Sequence, residues 1–175
     1  IKKKQKILLY QGVVEKGRGL NLLLDYVQKT QNVCCVIVGE GAYKMKLKNK
    51  VAHLKISGCV FFHKKVKYNK LLEITSSADV GVALIRPISK NNVFALPNKV
   101  FEYASCGIPV ICSNLPNMSF YVKKYNLGCA VNVYNPSSLY SAIHSLLSSP
   151  QKKNKRLLTW KNQEKKFIES VAQNE

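Results

Sequence analysis

The feature that most limits how this chain can fold is an unbroken alternation of short apolar runs with amphipathic segments. "KILLYQG", "VCCVIVG", "CVFFH", "DVGVALI", "IPVICS" and "GCAVNV" are each of strand length and largely apolar. Helical spacing fills the intervals. Leu20, Leu23, Leu24 and Val27 recur at i, i+3, i+4 and i+7, and Leu139, Ile143, Leu146 and Leu147 form a similar stripe after Pro136 and two serines, residues suited to a helix start. "YKMKLKNKVAHL", "NKLLEITSSA" and the segment around "MSFYVKKY" supply further helices. Such alternation specifies a parallel sheet covered on both faces. The expected fold is α/β: a doubly wound, Rossmann-like parallel sheet forming one domain over residues 1–175, with 151–175 a basic C-terminal helix beyond Pro150. Ligands of such sheets bind beyond the carboxyl ends of the strands.

Composition narrows the function classes. With 175 residues, 46% of them hydrophobic, the chain can bury a core and does not read as disordered. No apolar run approaches the roughly 20 residues that span a bilayer. The basic start "IKKKQK" is followed only by "ILLY", so a signal peptide is not expected. The six cysteines form no C-x-x-C pair and no zinc-like spacing with the three scattered histidines. They read as buried thiols in a reducing, cytoplasmic compartment, without a metal site. The net charge of +19 points to an anionic partner. The basic residues are nevertheless spread along the chain with few aromatics between them, which fits solvated helix faces better than a nucleic-acid surface.

Three stretches carry candidate chemistry. In "QGVVEKGRG", Gly12, Gly17 and Gly19 allow close backbone approach between a strand and a helix, and Arg18 precedes the helix, where it can fork onto a diphosphate or simply face solvent. In "VGEGAYK", Gly39 and Gly41 form a tight turn, with room for a ligand to pass close to Gly41. The long polar loop "RPISKNNVFALP" leads to "ALPNKVFEYASCGIPVI". There Pro97 suits a helix start, Gly107 the left-handed position past its end, and Pro109 a stop. The apolar face of this helix is expected to be Val100, Phe101 and Ala104. Glu102 shares another side with Asn98 and looks towards the loop edge. Free amides around Leu96 to Lys99 favour an anion ahead of the helix. Glu102, one turn on, has two acceptor oxygens that suit a vicinal diol such as that of a ribose. A solvated helix glutamate is the plain alternative.

The ordered set "YQGVVEKGRGL", "VIVGEGAY", "VFFHKKVKYNKL", "ADVGVALI" and "ALPNKVFEYASCGIPVI" resembles the C-terminal half of family-4 retaining glycosyltransferases of the GT-B fold, from about residue 6 to 168. The resemblance implies a donor domain for a nucleotide-diphosphate sugar and transfer without a metal or other cofactor. It implies that Glu102 accepts the ribose hydroxyls, that Arg18 and Gly12 meet the diphosphate, and that the backbone around Leu96, with Asn98 and Lys99, supports phosphate or sugar. Lys65 and Val66, in "HKKVK", match the region that reads the nucleobase. Phe94 stands where the family often has the first glutamate of E-x7-E, and Val13 where it often has arginine. The resemblance further implies that an N-terminal acceptor domain lies outside these residues, that the chain alone binds nucleotide without transferring sugar, and that the full protein builds a glycan or lipid-linked product. "LLTWKNQEKKFIESV" resembles the family's terminal helix, and its basic face with Trp160 would suit an anionic membrane surface. Two rivals remain: a basic module for nucleic acid or anionic membrane on a Rossmann scaffold, and a GT-B-fold nucleotide-sugar epimerase, whose motifs differ from "LPNKVFEY".

Overall fold

The computed structural model describes residues 5–148. Helices and strands alternate from the first strand onward: β1 (Lys6–Gln11), α1 (Leu20–Lys29), β2 (Val33–Val38), α2 (Lys44–His53), β3 (Val60–His63), α3 (Tyr68–Ser76) and β4 (Val80–Ala83). Then come α4 (Lys90–Val93), α5 (Asn98–Ser105), β5 (Val110–Ser113), α6 (Pro116–Lys124), β6 (Gly128–Val131) and α7 (Pro136–Ser148). The six strands are parallel in the order β3-β2-β1-β4-β5-β6. This is the doubly wound arrangement expected from the sequence, with its switch point between β1 and β4. The C-terminal helix expected over 151–175 lies outside the described residues.

Side chains alternate across the sheet because the strand period is two. Leu8 and Tyr10 enter one core with Leu23, Leu24, Val27, Leu47, Leu139 and Ile143, while Leu9 enters the other with Val100, Tyr103, Met118 and Val122. Helices α1, α2 and α7 therefore cover one face, and α3, α5 and α6 the other. The stripe Leu20, Leu23, Leu24 and Val27 is buried as its spacing requires; on α7, Leu139, Ile143 and Leu146 are buried and Leu147 is partly so.

Three expectations need correction. The loop between β4 and α5 contains a turn of helix, α4, because Ser89 Oγ accepts from Asn92 N at 3.2 Å and caps it. The buried face of α5 is Val100, Tyr103 and Ala104, spaced i, i+3 and i+4, while Phe101 is half-buried edge-on to Tyr121. Of the six free cysteines, Cys34, Cys35 and Cys112 are buried, but Cys59, Cys106 and Cys129 are only partly so.

Tyr103 fixes α5 to the sheet. Its ring lies against Gly81 of β4, where an added Cβ would stand 2.3 Å from Tyr103 Cγ. Its hydroxyl accepts from Gln11 N at 3.0 Å and lies 3.2 Å from the Leu9 carbonyl as donor. Tyr103→Phe leaves the buried Gln11 N–H unpaired and is expected to cost about 1–3 kcal/mol. A lower urea midpoint with an unchanged slope would show it.

Candidate functional site at the mouth of the sheet

Strand β1 ends on a polar residue, Gln11, and the chain then turns at Gly12, whose φ of 120° is open to glycine. The loops beyond β1, β2 and β3 are laced by backbone bonds: Gly12 N donates to Val38 O at 2.9 Å, Val14 N to Glu40 O at 2.8 Å, and Gly39 N to His63 O at 3.0 Å. Gly39 has no alternative there, since a Cβ would lie 1.9 Å from Gly12 O. Lys44 Nζ adds a tie by donating to Gly39 O at 3.0 Å and pairing with Glu40 at 2.7 Å. Across the switch point, Arg86 N donates to Gly17 O at 2.8 Å, joining the loop after β4 to the loop after β1.

Helix α5 begins against this frame. Its N-cap, Pro97, carries no capping side chain, so the first turn meets the mouth without a side-chain acceptor. Lys99 projects from that turn, with Nζ 4.0 Å from the Tyr10 ring centroid. It lies close enough to Gly12 that a Cβ there would stand 3.0 Å from Nζ. Burial, and then the Arg18 guanidinium, pull the Lys99 ammonium down to about 7, against the upward pull of Glu102. Burial likewise pushes Tyr10 up to about 12, with Arg18 opposing. Arg18 pairs with Glu15 at 3.3 Å, an accessible contact of the kind that contributes little and exchanges readily. Among the described residues, Lys99 forms no ion pair.

Glu102 is one turn further along α5 and half-buried. Its Oε2 accepts from Gln11 Nε2 at 2.5 Å, so the side chain reaches the carboxyl end of β1 rather than open solvent. Gln11 Oε1 in turn accepts from Thr75 Oγ1 at 2.8 Å, in the buried interior. A cleft of about 340 Å³ opens beside this group, lined by Gly12, Val13, Gly39, Lys65, Val66 and Tyr68 among others. A larger open hollow of about 620 Å³ runs along α6 and β6, away from the convergent charges.

The structure thus brings Gly12, Lys99 and Glu102 together, with Arg18 bonded to Glu15 and within electrostatic reach of Lys99, and sets Lys65 and Val66 on the adjoining cleft. Leu96 is half-buried and Asn98 exposed at the start of α5. Gly41 is packed against the neighbouring loop, where a Cβ would stand 2.2 Å from Val14 O. Val13 and Phe94 are both more than half exposed. Gln11, Thr75 and Tyr103 join the site without having been singled out in the sequence; the polar residue closing the apolar run "ILLYQG" is the one signal that could have marked Gln11. Among the described residues there is no group of three or more His, Cys, Asp or Glu placed to hold a metal, and no helix long and apolar enough to cross a membrane.

The family model for glycosyl transferases group 1 matches residues 1–167. The chain belongs to this family. A relative of this group 1 chain, the O-antigen biosynthesis glycosyltransferase WclY of Escherichia coli, is 26% identical over 129 residues, covering 73% of this chain and 33% of that protein. The chain therefore spans about a third of that relative's length. Among solved structures, sucrose-phosphate synthase from Thermosynechococcus elongatus superposes with a TM-score of 0.74 at 20% identity, over 98% of this chain and 46% of that one. HepE of Anabaena in complex with UDP-glucose gives 0.70 at 15%, over 85% and 41%. The catalytic domain of the cholesterol-α-glucosyltransferase from Helicobacter pylori gives 0.68 at 18%, over 97% and 99%. These neighbours establish the Rossmann-like fold found in GT-B glycosyltransferases.

The lowered Lys99 leaves a thermodynamic signature in this group 1 chain. Unfolded, the ammonium titrates near 10.5; folded, near 7. Between these values the unfolded state binds more protons, so Lys99's contribution makes stability rise with pH through this window, with its full penalty present below about 7. The melting temperature of the unliganded protein should gain on that of Lys99→Met between about pH 6 and about pH 9. A constant difference would contradict the assignment.

Proposed function

We propose that this chain is the donor-binding part of a retaining glycosyltransferase that moves a sugar from a nucleoside diphosphate to a glycan or lipid-linked acceptor. The observation that carries this reading is the convergence of Arg18, Lys99, the open first turn of α5 and Glu102 around Gly12, at the switch point of the sheet. A guanidinium, an amine that a bound diphosphate would hold protonated, and a helix N-terminus suit a diphosphate. A carboxylate one helical turn away suits the attached ribose diol. The cleft bearing Lys65 and Val66 takes the base. Uridine is the first base to test, since the Anabaena structure holds UDP-glucose and the pneumococcal O-GlcNAc transferase GtfA holds UDP and GlcNAc.

In the reaction, the bond between the anomeric carbon and the diphosphate oxygen breaks and its electron pair stays on the leaving diphosphate. The acceptor hydroxyl bonds to the same carbon, on the face that retains configuration, and its proton passes to an oxygen of the departing diphosphate. The described residues act on the leaving side: Lys99 and the α5 amides stand in advance where negative charge grows, and Arg18 joins them by exchanging Glu15 for the diphosphate, which lowers the barrier. No metal is required when this many positive groups face the diphosphate. The acceptor-binding half belongs to the remainder of a longer protein, so the 175 residues alone are expected to bind UDP but not to turn over a sugar donor.

Binding is the direct test. At one hundred times its dissociation constant, UDP should stabilise the protein by about 2.7 kcal/mol, measured as a rise in melting temperature. Glu102→Ala should weaken UDP about tenfold or more, and Arg18→Ala should weaken UDP far more than uridine. If binding instead follows duplex DNA or anionic vesicles with steep salt dependence and ignores Glu102→Ala, the chain is a basic binding module.

A further inference from the structure

Gln11 is the one wholly buried amide at the mouth among the described residues, only 1% exposed at the end of a strand whose Leu8, Leu9 and Tyr10 are buried. A buried amide is tolerated when both of its ends are paired. Here both are. Nε2 donates to Glu102 Oε2 on α5, and Oε1 accepts from Thr75 Oγ1 on α3. Thr75 is itself buried, and its single hydroxyl proton is shared between Gln11 Oε1 and Leu71 O, which lies 2.7 Å away within α3. An ionised carboxylate only accepts, so the face of the amide turned to Glu102 must be its NH2 group. The backbone of Gln11 is pinned as well, through its N–H to the Tyr103 hydroxyl.

A free glutamate side chain on a helix samples several rotamers, and fixing it on ligand binding carries an entropic cost. Gln11 removes that freedom beforehand. It occupies one lone pair of Oε2 and leaves Oε1, with the remaining lone pair of Oε2, open to a donor from the ligand. We propose that Gln11 is a positioning residue that holds Glu102 in the orientation that accepts the ribose diol of the donor, with Thr75 setting the amide the right way round. The proposal rests on the nucleoside-diphosphate reading given above.

Calorimetry with UDP and 2′-deoxy-UDP tests it, because the ratio of the two affinities reports the ribose contact alone. Wild type should prefer UDP about tenfold, the size of one hydrogen bond to a charged group. Glu102→Ala should bring the ratio close to one. Gln11→Met, which keeps the length and apolar fit of the side chain, should bring it to within about twofold of one while leaving 2′-deoxy-UDP affinity almost unchanged. In the Glu102→Ala background the same change should have no further effect on the ratio. Thr75→Val should lower the ratio less, and it carries the test if Gln11→Met does not fold. If Gln11→Met, or in its place Thr75→Val, weakens both ligands equally and keeps the wild-type ratio, Gln11 is a packing residue and the proposal is wrong. A wild-type protein that binds UDP and 2′-deoxy-UDP equally overturns the ribose assignment of Glu102 itself, a separate failure.

Discussion

The seating of α5 across the ends of β1 and β4 is the contact on which the rest of the molecule's chemistry depends. Gly81 leaves room for the Tyr103 ring, and the Tyr103 hydroxyl accepts the Gln11 N–H at the end of β1. One side chain thereby sets both the height and the rotation of the helix. With Tyr103 inward, Glu102 and Lys99 fall on the side facing the switch point, since residues three and four apart share a helix face. A different seating would turn the carboxylate and the ammonium away together.

The mouth is poised electrostatically. Lys99 and Arg18 act on each other as like charges, and among the described residues the ammonium forms no ion pair. An arrangement of this kind is unfavourable until an anion arrives, after which both charges become favourable. The large positive charge of the whole chain, +19, raises the local concentration of any anion but does not select a position for it. In the proposed reading, selection comes from the three elements meeting at Gly12: the glycine lets the backbone approach, the helix supplies amides, and Gln11 holds the carboxylate.

Much of this was legible in the sequence, for physical reasons that particular residues illustrate. The stripe from Leu20 to Val27 fixes α1 because burial follows a local period, and the apolar run at Val33–Val38 fixes β2 in the same way. Gly107, with its φ of 72°, and Pro109 mark the end of α5 by local conformational limits. What was not legible is non-local. Gln11 meets Glu102 across 91 residues and Thr75 across 64. No spacing rule links such positions. On α5, the aromatics Phe101 and Tyr103, two positions apart, both fit an amphipathic helix, and the gap above Gly81 admits Tyr103. The short α4 was concealed because its residues, Lys90–Val93, carry no apolar stripe and its start depends on one serine cap.

The most direct test of the account is an experimental structure of the protein with a nucleoside diphosphate bound. It should show the diphosphate between Arg18, Lys99 and the first turn of α5, with the ribose hydroxyls within hydrogen-bonding distance of Glu102 while Gln11 still donates to that carboxylate. A ligand lodged elsewhere, or one at the mouth with its ribose turned away from Glu102, would contradict it.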